Sequence, residues 1–276
     1  MAPPLTLMAV HAHPDDESSS TGGILARYSA EGVRTVVVTC TNGELGDGPG
    51  GVKPGAEGHD RALVAKTRLA ELEAACEILG VSHLELLGYH DSGMPEWEYK
   101  DWPEAFCNIP VDVAAARLSD LFERYQPDVV VTYDHEGAYN HPDHRQASLV
   151  TMAAVERSGI PEKAYFTAMR RRDWEGFRQA LLDAGMELPE VPEPDAEWLE
   201  KMDQEEARIT TTVDTMPFVG IKRSALTTHA SQIEESFFGK LPDQAFATMF
   251  GRESFVRVLD STGAAVPEDD LFVGLR

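Results

Sequence analysis

The chain has 276 residues, of which 24 are basic and 47 acidic, so its formal net charge is −23. A surface of this sign repels polyphosphates and anionic lipids, which excludes nucleic acid and membrane surfaces as expected partners. The three cysteines form no Cys-x-x-Cys pair, and no segment resembles a membrane span or a secretory leader, so we expect a soluble, cytoplasmic protein with free thiols.

The first half of the chain alternates strand and helix signals. The predicted elements are, in chain order, a strand at 5–10, a helix at 21–31, a strand at 34–40, a helix at 60–79, a strand at 84–87, a helix at 111–125 and a strand at 127–133. Nearly continuous apolar strands that alternate with helices predict an α/β fold, with a Rossmann-like, mostly parallel sheet and helices on both faces. Ligands bind beyond the carboxyl ends of such strands.

The pattern weakens in the last third of the chain. The weaker signals are a helix at 174–184, a Pro- and Glu-rich surface loop at 186–199, a strand at 208–213 and a helix at 217–229. We expect a single domain over 1–276, in which about 1–170 form the Rossmann-like core and about 171–276 form a C-terminal capping region.

Two clusters of ligand-type side chains follow the first and the fourth predicted strands. The first is His11-Ala12-His13-Pro14-Asp15-Asp16-Glu17, and the second is Tyr139-Asn140-His141-Pro142-Asp143-His144. Pro142 is a natural first residue of a helix, and the spacing then lets His141 and His144 face the same side. Because both clusters follow strands of one parallel sheet, we expect them to meet in one crevice.

These residue types suit a catalytic metal. A catalytic zinc site uses three protein ligands, often imidazoles and a carboxylate, and keeps one position for water. A carboxylate outside the ligand set can accept the proton of that water, and a spare imidazole can stabilise an oxyanion. Either cluster alone would be explained by a surface turn or a capped helix start, but their joint position after two strands favours a metal site.

The two clusters carry a resemblance to a known family. His13-Pro14-Asp15-Asp16-Glu17 and His141-Pro142-Asp143-His144, with Tyr139 ahead of the second, resemble the signatures of the PIG-L/LmbE-like zinc N-deacetylases. The resemblance covers roughly residues 5–170. It implies Zn²⁺ as cofactor, with Fe²⁺ as an alternative, and hydrolysis of the N-acyl amide of an amino sugar or a related small molecule.

The resemblance also implies a role for individual residues. It implies the metal ligands His13, Asp16 and His144, the general base Asp15, the oxyanion-stabilising His141 with the assisting Tyr139, and the substrate contacts Arg68, Asp91 and Glu44. Each substrate contact has a structural alternative. Arg68 would form a helix-surface ion pair with Glu71, Asp91 would set a turn before Ser92-Gly93, and Glu44 would be a solvated loop residue.

Two further segments resemble the actinobacterial mycothiol branch of this family. They are Ala230-Ser231-Gln232 after His229, and Asp269-Asp270-Leu271-Phe272. The branch holds an N-acetylglucosaminyl-inositol deacetylase and a mycothiol S-conjugate amidase. The amidases carry a lysine where this chain has Ser20, which favours the deacetylase, whereas the C-terminal match favours the amidase. We expect the deacetylase activity, with the amidase as the alternative; the oligomeric state stays open.

Three other classes of protein fit part of the pattern. Two histidines and a carboxylate can hold iron in a non-haem Fe(II) oxygenase, but the spare carboxylate of Asp15 favours hydrolysis. The topology suits a nucleotide-binding module, but no Gly-x-Gly-x-x-Gly or phosphate-binding loop follows a strand. A non-catalytic metal-binding protein would need neither Asp15 nor His141.

Overall fold

The computed structural model describes residues 4–185, 196–234 and 236–276. Within these ranges seven strands form one sheet: β1 (Thr6–His11), β2 (Arg34–Thr41), β3 (His83–Tyr89), β4 (Val129–Thr132), β5 (Lys163–Ala168), β6 (Thr211–Asp214) and β7 (Arg252–Asp260). The α-helices in the same ranges are α1 (Asp16–Ser20), α2 (Gly22–Ala30), α3 (Arg61–Leu79), α4 (Val111–Tyr125), α5 (Gly137–Asn140), α6 (Pro142–Ser158), α7 (Arg171–Asp183), α8 (Ala196–Arg208), α9 (Val219–Thr228), α10 (Ala230–Ile233) and α11 (Asp243–Phe250).

The strands lie in the order β3-β2-β1-β4-β5-β7-β6. β1 to β5 run parallel, and β7 runs antiparallel to both of its neighbours, β5 and β6. The order of the strands reverses between β1 and β4, so the connections that leave these two strands diverge and open a crevice. The predicted α/β fold with a Rossmann-like, mostly parallel sheet is confirmed.

Alternate side chains of the central strands pack on opposite faces of the sheet. One face packs against α2, α3 and α9 through Leu7, Ala9, Val37, Val129 and Val131. The other face packs against α4 and α6 through Met8, Val10, Val36, Val38 and Val130. Because both faces are covered, the strands are apolar along their whole length, as the sequence pattern indicated.

The helix α3 shows how local sequence sets an element that carries site residues. It begins after Asp60, whose carboxylate accepts the N–H groups of Ala62 and Leu63, and it ends at Gly80, which has a left-handed φ of 72°. The elements predicted for the first half, from the strand at 5–10 to the strand at 127–133, are confirmed to within two residues at each end.

The last third of the chain agrees with the prediction only in part. The helix predicted at 174–184, the strand at 208–213 and the helix at 217–229 correspond to α7, β6 and α9. This region does not only cap the sheet, because β6 and β7 extend the sheet beyond β5. The strand β7 was missed because charged residues interrupt its apolar positions in Arg-Glu-Ser-Phe-Val-Arg-Val-Leu-Asp. Of the predicted loop at 186–199, residues 186–195 lie outside the described residues, and from Ala196 the chain is helical, so that part of the prediction is wrong.

A buried ion pair fixes the C-terminal segment to the sheet. The Lys163 ammonium lies 2.6 Å from the Glu268 carboxylate, and both side chains are fully buried. The same carboxylate also accepts hydrogen bonds from Tyr165, Thr211 and Arg257. Because every one of these donors sits on the sheet, the pair joins the last segment of the chain to β5, β6 and β7.

The backbone beside this ion pair continues the sheet for one residue. The Glu268 N–H donates to the Thr210 carbonyl at 2.8 Å, and the Thr212 N–H donates to the Glu268 carbonyl at 3.0 Å. The C-terminal segment therefore lies along the outer side of β6. Among the described residues, no helix combines the length and the apolar character that crossing a bilayer requires.

Candidate active site

The two ligand-rich segments meet at the crevice between β1 and β4. The ring centroids of His13 and His141 lie 4.5 Å apart, and those of His13 and His144 lie 5.2 Å apart. His13 follows the end of β1, and His144 lies in the first turn of α6, which starts at Pro142. The topology thus brings together the two clusters that the sequence separates by more than a hundred residues.

Three of the predicted metal ligands are in direct contact. The carboxylate oxygen Oδ2 of Asp16 lies 3.3 Å from Nδ1 of His13 and 3.5 Å from Nε2 of His144. These distances match the spacing of about 3.4 Å between ligand atoms at a tetrahedral zinc with bonds of about 2.0–2.1 Å. The group His13, His141 and His144 also offers ligand atoms that lie within 4.8 Å of one another.

The carboxylate of Asp143 favours the set that contains Asp16. Its Oδ2 lies 3.3 Å from Nε2 of His13 and also accepts the Ser92 N–H, while Oδ1 accepts the Cys107 N–H. A metal-ligating histidine usually donates its other N–H to a carboxylate, which fixes the ring and its tautomer. The partnership with Asp143 therefore leaves Nδ1 of His13, on the side of Asp16, as the ring nitrogen that could bind a metal ion.

His144 provides a test of whether a metal fits. It is 2% exposed, and neither ring nitrogen has a hydrogen-bond partner among the described residues. The Tyr133 ring stacks on it, with centroids 4.1 Å apart, and holds its orientation. Because a buried imidazole without a partner is destabilising, a metal ion at Nε2 would satisfy a nitrogen that the protein leaves open.

Asp15 lies beside this group on a strained backbone. Its φ of 115° is one that non-glycine residues rarely adopt, and such strain clusters at functional sites. Its carboxylate is 24% exposed and accepts a hydrogen bond from Arg68 at 3.0 Å. Burial raises the pKa of Asp15 to about 6, although the Arg68 guanidinium opposes that rise. A carboxyl group with such a pKa can both accept and return a proton near neutral pH.

Arg68 connects Asp15 to two backbone segments. Its two terminal nitrogens donate to the carbonyls of Gly43 and Pro14 as well as to Asp15, and the residue is 5% exposed. The predicted surface ion pair with Glu71 is therefore wrong. Gly43 has a φ of 63°, and a Cβ there would lie 2.6 Å from the guanidinium, so the approach requires glycine. A substrate contact for Arg68 stays a prediction.

Asp91 and Glu44 lie together on the side of the crevice formed by β2 and β3. Asp91 sets a turn by accepting the Gly93 N–H at 2.7 Å, and its Oδ1 lies 3.6 Å from Nε2 of His13. Burial alone would raise its pKa, but His13 and Arg68 hold the pKa of the Asp91 carboxyl below its usual range. Glu44 is buried and accepts the Asp91 N–H, so a solvated position for Glu44 is wrong. Their substrate contacts stay predictions.

His141 and Tyr139 form the opposite side. His141 caps α6 by accepting the Asp143 N–H on Nδ1. Burial and the neighbouring His13 and His144 lower the pKa of His141 to about 2, so the ring is neutral and its remaining nitrogen, Nε2, carries the proton. Tyr139 is 56% exposed, and its ring lies edge-on to His141, with centroids 5.7 Å apart.

Comparison with known proteins identifies the family. Residues 8–155 match the family described as PIG-L: GlcNAc-PI de-N-acetylase. The mycothiol S-conjugate amidase of Streptomyces coelicolor is 36% identical over an alignment of 299 positions, which covers 100% of this chain and 99% of the amidase. The chain belongs to the PIG-L family. The family predicted from the two motifs is therefore confirmed, and with it the reaction class, hydrolysis of an amide C–N bond.

Relatives of this PIG-L protein include enzymes with a different named substrate. The 1D-myo-inositol 2-acetamido-2-deoxy-alpha-D-glucopyranoside deacetylase of Acidothermus cellulolyticus is 38% identical, over 98% of this chain and 95% of that enzyme. Among solved structures, N,N'-diacetylchitobiose deacetylase from Pyrococcus horikoshii has a TM-score of 0.59 and 21% sequence identity. The structural alignment covers 92% of this chain and 83% of the deacetylase chain. That likeness supports the fold.

Sequence reasoning missed some contacts of the PIG-L site and misplaced one residue. His11, counted with the first cluster, instead bonds Thr21 at 2.8 Å through Nε2. The buried Glu17 bonds His229, 212 positions away, at 2.7 Å. Asp143 was noted only as part of its motif. A periodic pattern in the sequence does not link such distant residues; the only signal for His229 was its place before Ala230-Ser231-Gln232.

Proposed function

We propose that this PIG-L protein is a zinc-dependent deacetylase that hydrolyses the N-acetyl amide of an amino sugar of the glucosaminyl-inositol type. The observation that carries the proposal is the position of Asp15, a partly exposed carboxylate outside the ligand group, held beside it by Arg68. A purely structural metal site needs no such group, whereas amide hydrolysis needs a base for the attacking water. Asp16, His13 and His144 complete the proposed site.

The bound ion has a defined place in this proposal. His13, Asp16 and His144 would hold zinc, which supplies Lewis acidity and a water whose pKa is lowered to about 7. Three protein ligands leave a coordination position open, as in catalytic zinc sites. The alternative ligand group His13, His141 and His144 would use Nε2 of His141 to bind the metal. That nitrogen would then have no proton to donate to the oxyanion, so we prefer the group that contains Asp16.

The residues of the chain then divide the proton transfers. Asp15 accepts a proton from the water as its oxygen attacks the amide carbon. The Nε2–H of His141 donates to the carbonyl oxygen as negative charge develops there, and the Tyr139 hydroxyl assists from the rim. Asp15 returns the proton to the nitrogen as the C–N bond breaks. His141 is the weaker acid for that last step because burial keeps it neutral.

The deacetylase is favoured over the S-conjugate amidase by where the branch-specific residues lie. The C-terminal match that favoured the amidase is part of the core: Leu271 and Phe272 are fully buried, and Asp270 accepts a hydrogen bond from Tyr28. It therefore says nothing about the substrate. Ser20, which stands where the amidases carry a lysine, lies at the end of α1, one turn after Asp16.

The experiment is amine release from three substrates by zinc-loaded and by chelator-treated protein. The substrates are N-acetylglucosamine, its inositol glycoside and a mycothiol S-conjugate. We expect chelator-sensitive release from the inositol glycoside. Release from the S-conjugate alone would assign the amidase activity instead, and no release from any substrate by zinc-loaded protein would refute the proposal. Oxygen uptake with Fe²⁺-loaded protein tests the oxygenase alternative.

A further inference from the structure

Several contacts maintain the strained backbone of Asp15. A residue with its φ of 115° keeps this conformation only if its surroundings enforce it. The Asp15 carbonyl accepts the N–H groups of Ser18 and Ser19. The Asp15 N–H donates to Oε2 of Glu17 at 3.0 Å. The Glu17 carboxylate is therefore one of the groups that hold the backbone of the proposed base.

Glu17 is itself held from a distant part of the chain. Its side chain is fully buried, and its Oε1 accepts hydrogen bonds from the Ser18 hydroxyl at 2.5 Å and from Nε2 of His229 at 2.7 Å. Ser18 is the adjacent residue and moves with α1. Of these two partners, only His229 lies outside α1, at the junction of α9 and α10.

The segment 229–232 is anchored to the same side of the crevice by two more residues. The Ser231 N–H and hydroxyl donate to the Glu71 carboxylate at 2.8 and 2.7 Å, on α3 and three residues after Arg68. The Gln232 amide exchanges hydrogen bonds with the backbone of Asp47, at 2.9 and 3.0 Å. The segment that carries His229 is thus anchored independently of Glu17, and it places the imidazole where Nε2 can donate to the Glu17 carboxylate.

We propose that His229 is a positioning residue for the reaction: it holds the Glu17 carboxylate, which in turn holds Asp15 in the orientation that proton transfer requires. The inference rests on the proposed function of Asp15 as the base. His229 is fully buried, and its ring does not touch the ligand group through any hydrogen bond among the described residues. Its effect is therefore expected on turnover and not on metal binding.

The test compares two amides at position 229. In His229→Gln the side-chain amide reaches about as far as Nε2 and restores a donor to Glu17, whereas in His229→Asn the amide is one methylene shorter. We expect His229→Asn to lower kcat by about tenfold to a hundredfold, the usual cost of a misplaced supporting group, with zinc content and KM unchanged. We expect His229→Gln to recover most of this loss.

The matched control is Lys222→Met on the same helix, α9. Lys222 also forms a buried ion pair at 2.6 Å, with Glu253, whose other partners are the Gly23 and Ile24 N–H groups of α2. This variant is expected to lower the Tm but to leave kcat of the folded enzyme unchanged. It therefore measures what a lost buried pair in this region does without a change at Glu17.

Three results would overturn the inference. His229→Asn with wild-type kcat and a lowered Tm would make His229 purely structural, as would equal kcat losses in the Asn and Gln variants. Loss of zinc from His229→Asn would mean that the residue supports the ligands. If His229→Asn does not fold, Glu17→Gln provides the same comparison, with the same expected loss of kcat. Absence of amide hydrolysis in the wild type would instead refute the proposed function.

Discussion

The part of the chain up to β5 and the part after it contribute differently to the site. The first part supplies every residue assigned a role from the sequence, from His13 to His144. Among the described residues, the second part contributes no ligand-group side chain. It bonds three segments that carry or border the site, through His229 to Glu17, Ser231 to Glu71 and Gln232 to Asp47. The chemistry is thus encoded locally, while its geometry depends on contacts between distant segments.

The two parts also differ in how they accommodate buried polar groups. In the first part, carboxylates and imidazoles converge on one another, and neither ring nitrogen of the buried His144 forms a hydrogen bond among the described residues. In the second part, buried charges are paired, as in Lys222–Glu253 and the pair formed by Glu268 with Lys163 of β5. The first arrangement leaves a buried nitrogen that a metal ion could satisfy, whereas these charged pairs already have their partners.

The largest expected effect tests the first part. Asp15→Asn removes the proposed base, so kcat should fall by about 10²–10⁴-fold, the usual contribution of a general base. Zinc content should not change, and the Tm should not fall, because asparagine tolerates a positive φ and no longer buries a carboxylate. Asp16→Asn is the control and should lose zinc. Full turnover by Asp15→Asn would assign the base to another residue.

The next effect tests the second part. Lys163→Met removes the ammonium partner of the buried Glu268 carboxylate but leaves Arg257 2.8 Å from it. The free energy of unfolding should therefore fall by about 1.5–3 kcal/mol, the usual contribution of a hydrogen bond to a charged group. Chemical denaturation measures this loss. The kcat of the folded fraction should not change, because the pair contacts no residue of the site among its described bonds. A fall in kcat equal to that of Asp15→Asn would mean that the second part also acts directly on the reaction.

A smaller effect, which depends on pH, tests the same buried ion pair. Burial alone would raise the pKa of Glu268, but hydrogen bonds from Lys163, Thr211 and Tyr165 hold it below its usual 4.5. A lowered folded-state pKa means that the stability from this carboxylate is complete above about pH 4.5 and is lost as the pH falls through the folded pKa. Glu268→Gln should therefore destabilise the protein at pH 7, and its Tm should approach the wild-type value in acid. A Tm difference that does not depend on pH would contradict the assignment.

The smallest effect concerns the loop that borders the crevice. Gln232→Leu removes the two hydrogen bonds to the Asp47 backbone, each worth about 1 kcal/mol. We expect KM for the best substrate to rise by about threefold to tenfold, because the Asp47 loop is loosened, with a smaller loss of kcat, because the Ser231–Glu71 hydrogen bonds still anchor the segment that carries His229. Steady-state kinetics measures both. A loss of kcat with unchanged KM would mean that this loop acts on the base.

The sequence predicted the parallel part of the fold because its signals are local. Apolar strands such as Leu5-Thr6-Leu7-Met8-Ala9-Val10 and the capped helix after Asp60 need no distant partner to be recognised. The same holds for the grouping of His13 and His144, since a parallel sheet brings the ends of its strands to one edge. The meeting of the two clusters could thus be predicted before their distances were known, whereas the roles of the individual residues came from the family resemblance.

The rest was not predictable because it depends on pairings across the fold. The position of β7 is set by its antiparallel pairing with β5. The sequence of β7, in which charged residues interrupt the apolar positions, does not indicate this pairing. Arg68 was predicted to contact substrate or Glu71, yet its partners are two carbonyls and Asp15, which only the folded loops bring near. The link from His229 to Glu17 is of the same kind.

The single residue of backbone pairing at Glu268 has a consequence for association between molecules. β6 is the last strand of the sheet, and an uncovered last strand offers its free N–H and C=O groups to a strand from another molecule. The C-terminal segment occupies this position at Thr210 and Thr212. The segment around Glu268 thus occupies the hydrogen-bonding groups at this edge, and a truncation before Glu268 is expected to expose the edge to strands of other copies of the protein.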